Sequence, residues 1–235
     1  MEIAWNAALV DFTLPVTTVG GSVSIRFNIA LTSFTILATG VGGGMHVYLN
    51  PVLTNFSFPA ISRVGGGLSV ECNSLLTNFT LPVASVGGDF TIACNPALTG
   101  FSMPTTSVGG DLRIQDNAVL TSFDMPVETV GGVLKVDSNP TLTGLVLPTT
   151  SVGYNLQIIY NDALASFALP VTNIGGLLQI GFNNVLTGFD LTLLSGNVTD
   201  FYVYHNPLLC DSLVAALDAQ VIQLGLTDIS NNKAC

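Results

Sequence analysis

The chain has 235 residues, of which 49% are hydrophobic and only 9% are charged. Its formal net charge of -10 includes just five basic side chains, which argues against nucleic acids and anionic membranes as partners. Mean hydropathy is high at +0.61, but polar residues or glycines interrupt every apolar stretch before the roughly 18 residues that a membrane-spanning helix needs. We therefore expect a soluble chain with no membrane insertion.

An asparagine returns at a nearly constant interval and marks an internal repeat. The interval is 22 residues, with two steps of 23. The column consists of Asn6, Asn28, Asn50, Asn73, Asn95, Asn117, Asn139, Asn161, Asn183 and Asn206. A fixed period of this size is typical of a solenoid, in which each coil buries its apolar face against its neighbours. The repeat therefore predicts one elongated domain.

The asparagine column has a structural explanation. A buried corner leaves backbone N–H and C=O groups without partners, which is costly. An amide side chain both donates and accepts, so a stacked asparagine can bond its own corner and the next coil. We predict that the asparagines from Asn28 to Asn206 form a structural ladder inside the solenoid.

The start of the chain falls within a repeat, because Ile3 and Asn6 match the end of a coil. Met1 and Glu2 are not followed by a basic and then an apolar stretch, so no signal peptide is visible. The first coil would expose an apolar end unless a further coil or a partner covers it. We therefore expect self-association through this uncapped N-terminal coil, or coverage by another coil.

Within each repeat, period-two alternation around the Phe-x-Leu and Leu-x-Ile segments predicts two short strands. Proline ends the first strand at a bend, and a Gly-Gly pair is expected to supply positive φ at the corner before the second. The sequence thus predicts an all-β parallel solenoid of 22-residue coils over residues 1–209, with about nine to ten coils.

Residues 210–235 predict a C-terminal cap. Asp211 and Ser212 suit a helix N-cap, and apolar residues at helical spacing follow up to Leu224, with Gly225 as a stop. A last partial strand is expected near Thr227–Asn232. Because Cys210 and Cys235 both lie in the cap, we predict a disulfide between them.

The other two cysteines, Cys72 and Cys94, occupy the same position in neighbouring coils. Stacked strands place equivalent Cα atoms about 4.8 Å apart, which is within disulfide range. The sequence leaves two alternatives, a bridge or two free thiols, and free thiols would suit a reducing compartment. No metal site is predicted, because Cys-x-x-Cys is missing and His46 and His205 lie roughly seven coils apart. No cofactor is predicted either.

The repeat resembles the receptor L domain. Its phrase Asn-Pro-x-Leu-Thr-x-Phe-x-Leu-Pro, then Val-Gly-Gly-x-Leu-x-Ile-x-x-Asn, recurs over residues 3–235 and ends in Asn206-Pro-Leu-Leu-Cys210. That family has a leucine-rich, right-handed β-helix and includes insulin and epidermal growth factor receptor ectodomains and anchored fungal cell-wall proteins. The resemblance implies a right-handed, leucine-rich-repeat-like β-helix and an extracellular or cell-surface setting. It implies no binding residues, because the family binds varied partners through surface residues that its repeat does not define.

Aromatic residues gather on the outward side of the Leu-x-Ile strand, near both ends of the chain. The candidate ligand-binding residues are Trp5, Phe27, Tyr48, Tyr160, Phe182, Tyr202, Tyr204 and His205. A contiguous exposed aromatic patch suits a protein or glycan ligand. The alternative is that these rings cover one another or face a neighbouring domain.

An enzymatic site and a calcium site are weighed as alternative interpretations of the acidic residues. Glu71, Asp116 and Asp137 lie beside basic residues and could be read as a polysaccharide-cleaving site, although mixed charges on a solvated sheet are commoner. Asp89 and Asp111 stack at equivalent corners, but two carboxylates are too few for a Ca²⁺ site.

Threonines form two columns along the repeat, which raises ice binding as an alternative. Threonine also simply suits strands and turns. The column that contains Thr13, Thr35 and Ser57 is broken by other residues further along the chain. We therefore expect a non-enzymatic extracellular or cell-surface module for binding, adhesion or structure. A polysaccharide-active enzyme and an ice-binding protein are the alternatives.

Overall fold

The computed structural model describes residues 1–235 and shows a parallel β-solenoid with three walls and one short helix. Equivalent positions of successive repeats pair directly, as Leu112 does with Leu134 and Phe34 does with Phe56. Because the repeat length is nearly constant, each apolar side chain meets the same side chain of the next coil. The predicted all-β parallel class is therefore confirmed.

The first wall is a sheet of eleven strands, called the long sheet below. Its strands alternate buried and outward-facing residues, as in Leu112–Gln115. In order along the solenoid they are Glu2–Ala4, Val23–Arg26, Met45–Tyr48, Leu68–Glu71, Phe90–Ala93, Leu112–Gln115, Leu134–Asp137, Leu156–Ile159, Leu178–Gly181, Phe201–Tyr204 and Thr227–Asp228.

The second wall follows the asparagine and is interrupted into sheets of four, two and three strands. Its strands are Asp11–Leu14, Ser33–Ile36, Asn55–Ser57, Asn78–Thr80, Gly100–Ser102, Ser122–Asp124, Gly144–Val146, Ser166–Ala168 and Gly188–Asp190. Each carries one large side chain inward, and the phenylalanines stack from coil to coil. The Phe34 and Phe56 ring centroids are 5.1 Å apart with nearly parallel planes.

The third wall was not predicted, since the repeat indicated only two strands per coil. Its strands have two residues each, which is too short for an alternating pattern to be recognised. They form sheets of seven and two strands. The strands are Gly40–Val41, Arg63–Val64, Ser85–Val86, Ser107–Val108, Thr129–Val130, Ser151–Val152, Asn173–Ile174, Asn197–Val198 and Ile222–Gln223.

The three walls enclose one continuous core of 58 buried hydrophobic residues. Each coil contributes a leucine three residues after its asparagine, and Leu98 and Leu120 are completely buried there. The valine of the third wall completes each layer, as Val108 does. A coil alone could not bury these faces, so its stability depends on its neighbours.

The Gly-Gly corner corrects one expectation, because no glycine has positive φ. The first glycine of the pair is required by close stacking instead. A Cβ on Gly109 would lie 2.3 Å from the carbonyl oxygen of Gly87 in the preceding coil. No side chain fits at that distance, so the backbones of successive coils pass each other in direct contact.

The left-handed turn lies at the other end of the long-sheet strand. The residue directly before each asparagine has φ between 52° and 60°, and none of these residues is glycine. We call them the turn column, whose members are Trp5, Phe27, Leu49, Cys72, Cys94, Asp116, Ser138, Tyr160, Phe182, His205 and Asn231. This conformation costs about 1–2 kcal/mol per residue. The turn leads the chain out of the long sheet and directs the side chain of the following asparagine into the core.

The predicted asparagine ladder is present, and its members from Asn28 to Asn206 are completely buried. In the central coil, Asn117 Nδ2 donates to the carbonyl oxygens of Ile92 at 3.1 Å and Gln115 at 2.9 Å. Its Oδ1 accepts the backbone N–H of Asn95 at 3.2 Å. Each amide therefore satisfies backbone groups of two coils, and no buried side-chain polar atom is left without a partner.

The C-terminal cap contains the helix Asp211–Asp218, which is shorter than predicted. Cys210 occupies the N-cap position without a side-chain cap, and Leu224 lies outside the helix, 66% exposed. The strand Thr227–Asp228 extends the long sheet as expected. The structure contains no helix that is long and apolar enough to cross a bilayer.

Two bonds attach the cap to the repeats. Cys210 and Cys235 form the predicted disulfide, with their Cα atoms 5.8 Å apart. Asn232 continues the ladder, since its Oδ1 accepts the backbone N–H of Asn206 at 3.2 Å. Residues 210–235 are therefore an altered last coil in which the helix closes the core.

Candidate binding surface

The outward face of the long sheet consists of two strand columns and the turn column beside them. Tyr48, Tyr202 and Tyr204 lie on strands, as predicted. The other candidates lie in the turn column rather than on the strand, which corrects their placement. These are Trp5, Phe27, Tyr160, Phe182 and His205. Because the left-handed turn directs every residue of the column to the same side, aromatic residues of neighbouring coils meet face to face.

The N-terminal cluster is built around a stacked pair. The rings of Trp5 and Phe27 are parallel, with centroids 4.1 Å apart, and Tyr48 meets Phe27 edge-on at 5.7 Å. The Arg26 guanidinium lies 5.7 Å from the Phe27 ring centroid and forms an ion pair with Glu2. The hydrogen bond that Arg26 donates to the Glu2 carboxylate raises the pKa of Arg26. Trp5 remains 70% exposed.

The C-terminal cluster is a longer stack. Phe182 lies between Tyr160 and His205, with centroid distances of 4.6 Å and 4.8 Å and nearly parallel planes. Tyr204 meets Phe182 edge-on at 5.3 Å, and Tyr202 meets Tyr204 edge-on at 6.5 Å. Five aromatic rings thus form one continuous patch at this end of the sheet.

Two glutamines extend this cluster, and no sequence pattern pointed to them. Gln157 Nε2 donates to Gln179 Oε1 at 2.7 Å, and Gln179 Nε2 donates to the Tyr204 hydroxyl at 2.7 Å. The Tyr204 ring lies over Gly181, where an added Cβ would come within 3.3 Å of it. The amides and the hydroxyl give the patch a polar edge with fixed positions.

The middle of the same face carries mixed charges. Arg113 forms an ion pair with Asp111, and Lys135 Nζ lies 2.8 Å from Asp137 Oδ2. Of the three acids weighed for a polysaccharide-cleaving site, Asp137 is therefore paired with a base. Asp116 is exposed in the turn column.

Cys72 and Cys94 are neighbours in the turn column, and both are free thiols. Of the two alternatives left open by the sequence, the structure therefore has the unbridged one. Burial, and then a hydrogen bond with Cys94, raise the pKa of the Cys72 thiol to about 12. A thiol with such a pKa is protonated near neutral pH and reacts slowly.

The corner carboxylates have a backbone role. Asp89 Oδ1 accepts the backbone N–H of Asp111 at 2.9 Å, and Asp111 Oδ1 accepts that of Val133 at 2.7 Å. His46 hydrogen-bonds Ser69, whereas His205 lies in the aromatic stack at the other end. No three His, Cys, Asp or Glu side chains converge as a metal site.

The threonine four residues after each asparagine also bonds the backbone. Thr54 Oγ1 donates to the carbonyl oxygen of Thr32 at 3.1 Å, and Thr121 Oγ1 donates to that of Thr99 at 3.0 Å. This column therefore recurs because it links successive coils. The second column lies outward on the second wall, where Thr35 is flanked in register by Thr13 and Ser57.

Comparison of the chain with family models, with curated proteins and with solved structures gave no match.

Proposed function

We propose that the protein is a non-enzymatic binding or adhesion module that acts outside the cell or at the cell surface, with the outward face of the long sheet as its contact surface. The observation that carries this proposal is the pair of aromatic clusters on one face of a regular rod. They lie about seven coils apart, or on the order of 34 Å at ~4.8 Å per coil.

The rings are more exposed than stacking alone requires. Trp5 is 70% and Tyr160 48% exposed although each is stacked on a phenylalanine. Large contiguous exposed apolar patches are uncommon on a monomer and mark interaction sites. Tyrosine and tryptophan are also the residues that most often dominate binding energies. This favours contact with a partner over mutual coverage of the rings.

The extracellular setting is supported by chemistry that suits an oxidising compartment. The Cys210–Cys235 disulfide fastens the cap, and structural disulfides persist mainly outside the cytosol. The resemblance of the repeat to the receptor L domain points the same way. We propose that the coils are a version of that right-handed architecture with more coils than the receptor domains.

The proposed contact surface is tested with a double variant, Trp5→Ala with Tyr202→Ala, which removes one ring from each cluster. The matched control is Tyr154→Ala, because Tyr154 is 59% exposed at the glycine corner. Wild type and variants are applied to arrays of purified extracellular proteins and glycans. The proposal expects a ligand whose binding the double variant loses and the control keeps. Equal binding by all three proteins would show that another surface makes the contact.

Ice binding is a second candidate, favoured by one observation. On the second wall, Thr13, Thr35 and Ser57 project outward in register from neighbouring parallel strands, and Thr80 continues the row. Ordered hydroxyl rows could order water. Thermal hysteresis of the purified protein tests this candidate, and a freezing point equal to the melting point at millimolar protein rejects it.

A further inference from the structure

The aromatic stack at the C-terminal cluster has one open end. Phe182, in the next coil, covers one face of Tyr160, so the other face is directed toward the preceding coil. The turn-column residue of that coil is Ser138, whose side chain is too small to cover a ring. Tyr160 is accordingly 48% exposed. The fixed stack thus presents a flat ring face at a defined height on the rod.

Polar residues lie near Tyr160 along the turn column and on the adjoining long-sheet strands. Ser138 Oγ donates to Asp137 Oδ1 at 2.9 Å, and Lys135 Nζ holds the other carboxylate oxygen at 2.8 Å. Asp116 is exposed two coils before Tyr160 in the same turn column, about 9–10 Å away along the axis. Gln157 lies on the strand that leads into Tyr160. Acceptors and donors therefore lie around an apolar platform.

We propose that Tyr160 stacks against a pyranose ring of an uncharged glycan, and that Asp116, Ser138 and Gln157 hydrogen-bond its hydroxyls. This inference rests on the proposed function and specifies its ligand class at one end of the contact surface. A sugar ring has an apolar C–H face and a rim of hydroxyls, which matches a flat aromatic face with polar groups at its edge.

The charges around the ring select against other ligands. Asp116 and the net charge of -10 disfavour uronic or sulfated sugars and nucleic acids. Quaternary ammonium groups are recognised by cages of several aromatic rings, whereas here a single ring face is open. Hydroxyl groups, in contrast, both donate to carboxylates and accept from amides.

The test uses the full chain and a panel of neutral hexasaccharides of glucose, xylose, mannose and N-acetylglucosamine, with oligogalacturonate as the acidic comparison. Saturation-transfer NMR detects binding and calorimetry gives Kd. We expect at least one neutral hexasaccharide to bind, with Kd at least about tenfold higher for Tyr160→Ala, as for loss of an aromatic anchor. Tyr154→Ala should bind like the wild type, and Tyr160→Phe, which keeps the ring, should retain most of the affinity.

Three results would overturn the glycan site: no neutral hexasaccharide binds, Tyr160→Ala binds them as well as the wild type, or oligogalacturonate binds equally well. Tyr160→Phe keeps the ring, so its retained binding separates the ring from the hydroxyl, and a circular dichroism spectrum of Tyr160→Ala equal to that of the wild type excludes a loss of fold. If a protein ligand is found that depends on Trp5 and Tyr202 while no sugar binds, the glycan site fails and the proposed function stands. If neither class binds, both fail.

Discussion

Substitution of Asn117 by alanine tests the asparagine ladder, on which the whole stack of coils depends. The change removes the two hydrogen bonds that Asn117 Nδ2 donates to the carbonyl oxygens of Ile92 and Gln115, and the one that its Oδ1 accepts from the backbone N–H of Asn95. It also removes a shared donation from Nδ2 to Asn139 Oδ1 at 3.2 Å. The site is completely buried, so the backbone groups that lose the amide are not exposed to bulk water. At about 1–1.5 kcal/mol for each bond, we expect the free energy of unfolding to fall by about 3–5 kcal/mol.

Urea unfolding followed by circular dichroism measures this loss, and amide hydrogen exchange shows whether it is centred on the coils next to residue 117. Exchange is needed because long repeat arrays can unfold in parts rather than in one step. Asn78→Ala is the control, since Asn78 is exposed on the second wall, and its effect should stay within about 0.5 kcal/mol. A loss below about 1 kcal/mol for Asn117→Ala, or equal losses for both variants, would refute the reasoning.

Three further predictions concern the corners and the cysteines. Gly109→Ala places a Cβ 2.3 Å from a carbonyl oxygen and should lower the free energy of unfolding by about 1–3 kcal/mol, measured as a lower melting temperature. Gly188→Ala is the control, because its added Cβ would have nothing within 4 Å, and it should have little effect. Iodoacetamide at pH 8 should modify the exposed Cys94 well before Cys72. The reason is that a pKa of about 12 keeps the Cys72 thiol protonated until the pH approaches that value. Mass spectrometry measures the two modification rates, and equal rates would contradict this prediction. Cys235→Ser opens a loop with a sequence separation of 25 and should destabilise the cap by about 3 kcal/mol. Amide hydrogen exchange in the helix and the last strand should become faster. Unchanged exchange in these two elements would contradict this prediction.

The repeat was sufficient to predict the stack of coils, since its period and its leucine, phenylalanine and asparagine columns all indicate the same register between successive coils. The buried ladder followed from the chemistry of the amide alone. The two-residue strands such as Ser107–Val108 could not be predicted, because they are shorter than one alternation.

The turns were harder to predict. Positive φ is normally assigned to glycine, but here it falls on residues such as Tyr160 and Cys94, and the packing of the asparagine imposes it. The glycines are needed for space between backbones instead. For the same reason the sequence placed all eight aromatic candidates on the correct face, but five of them on a strand rather than in the turn column. No pattern in the sequence indicated the hydrogen-bonded pair Gln157 and Gln179.

The most direct test of the contact surface is hydroxyl-radical footprinting of the full chain with and without a saturating ligand from the arrays. Tyr154 and Tyr160 belong to the same coil and are both exposed, at opposite ends of one long-sheet strand, so each serves as the reference for the other. We expect the ligand to reduce labelling of Tyr160 or Trp5 and to leave Tyr154 unchanged. Protection of Tyr154 with both of the others still fully labelled would contradict the assignment of the contact surface to the long sheet.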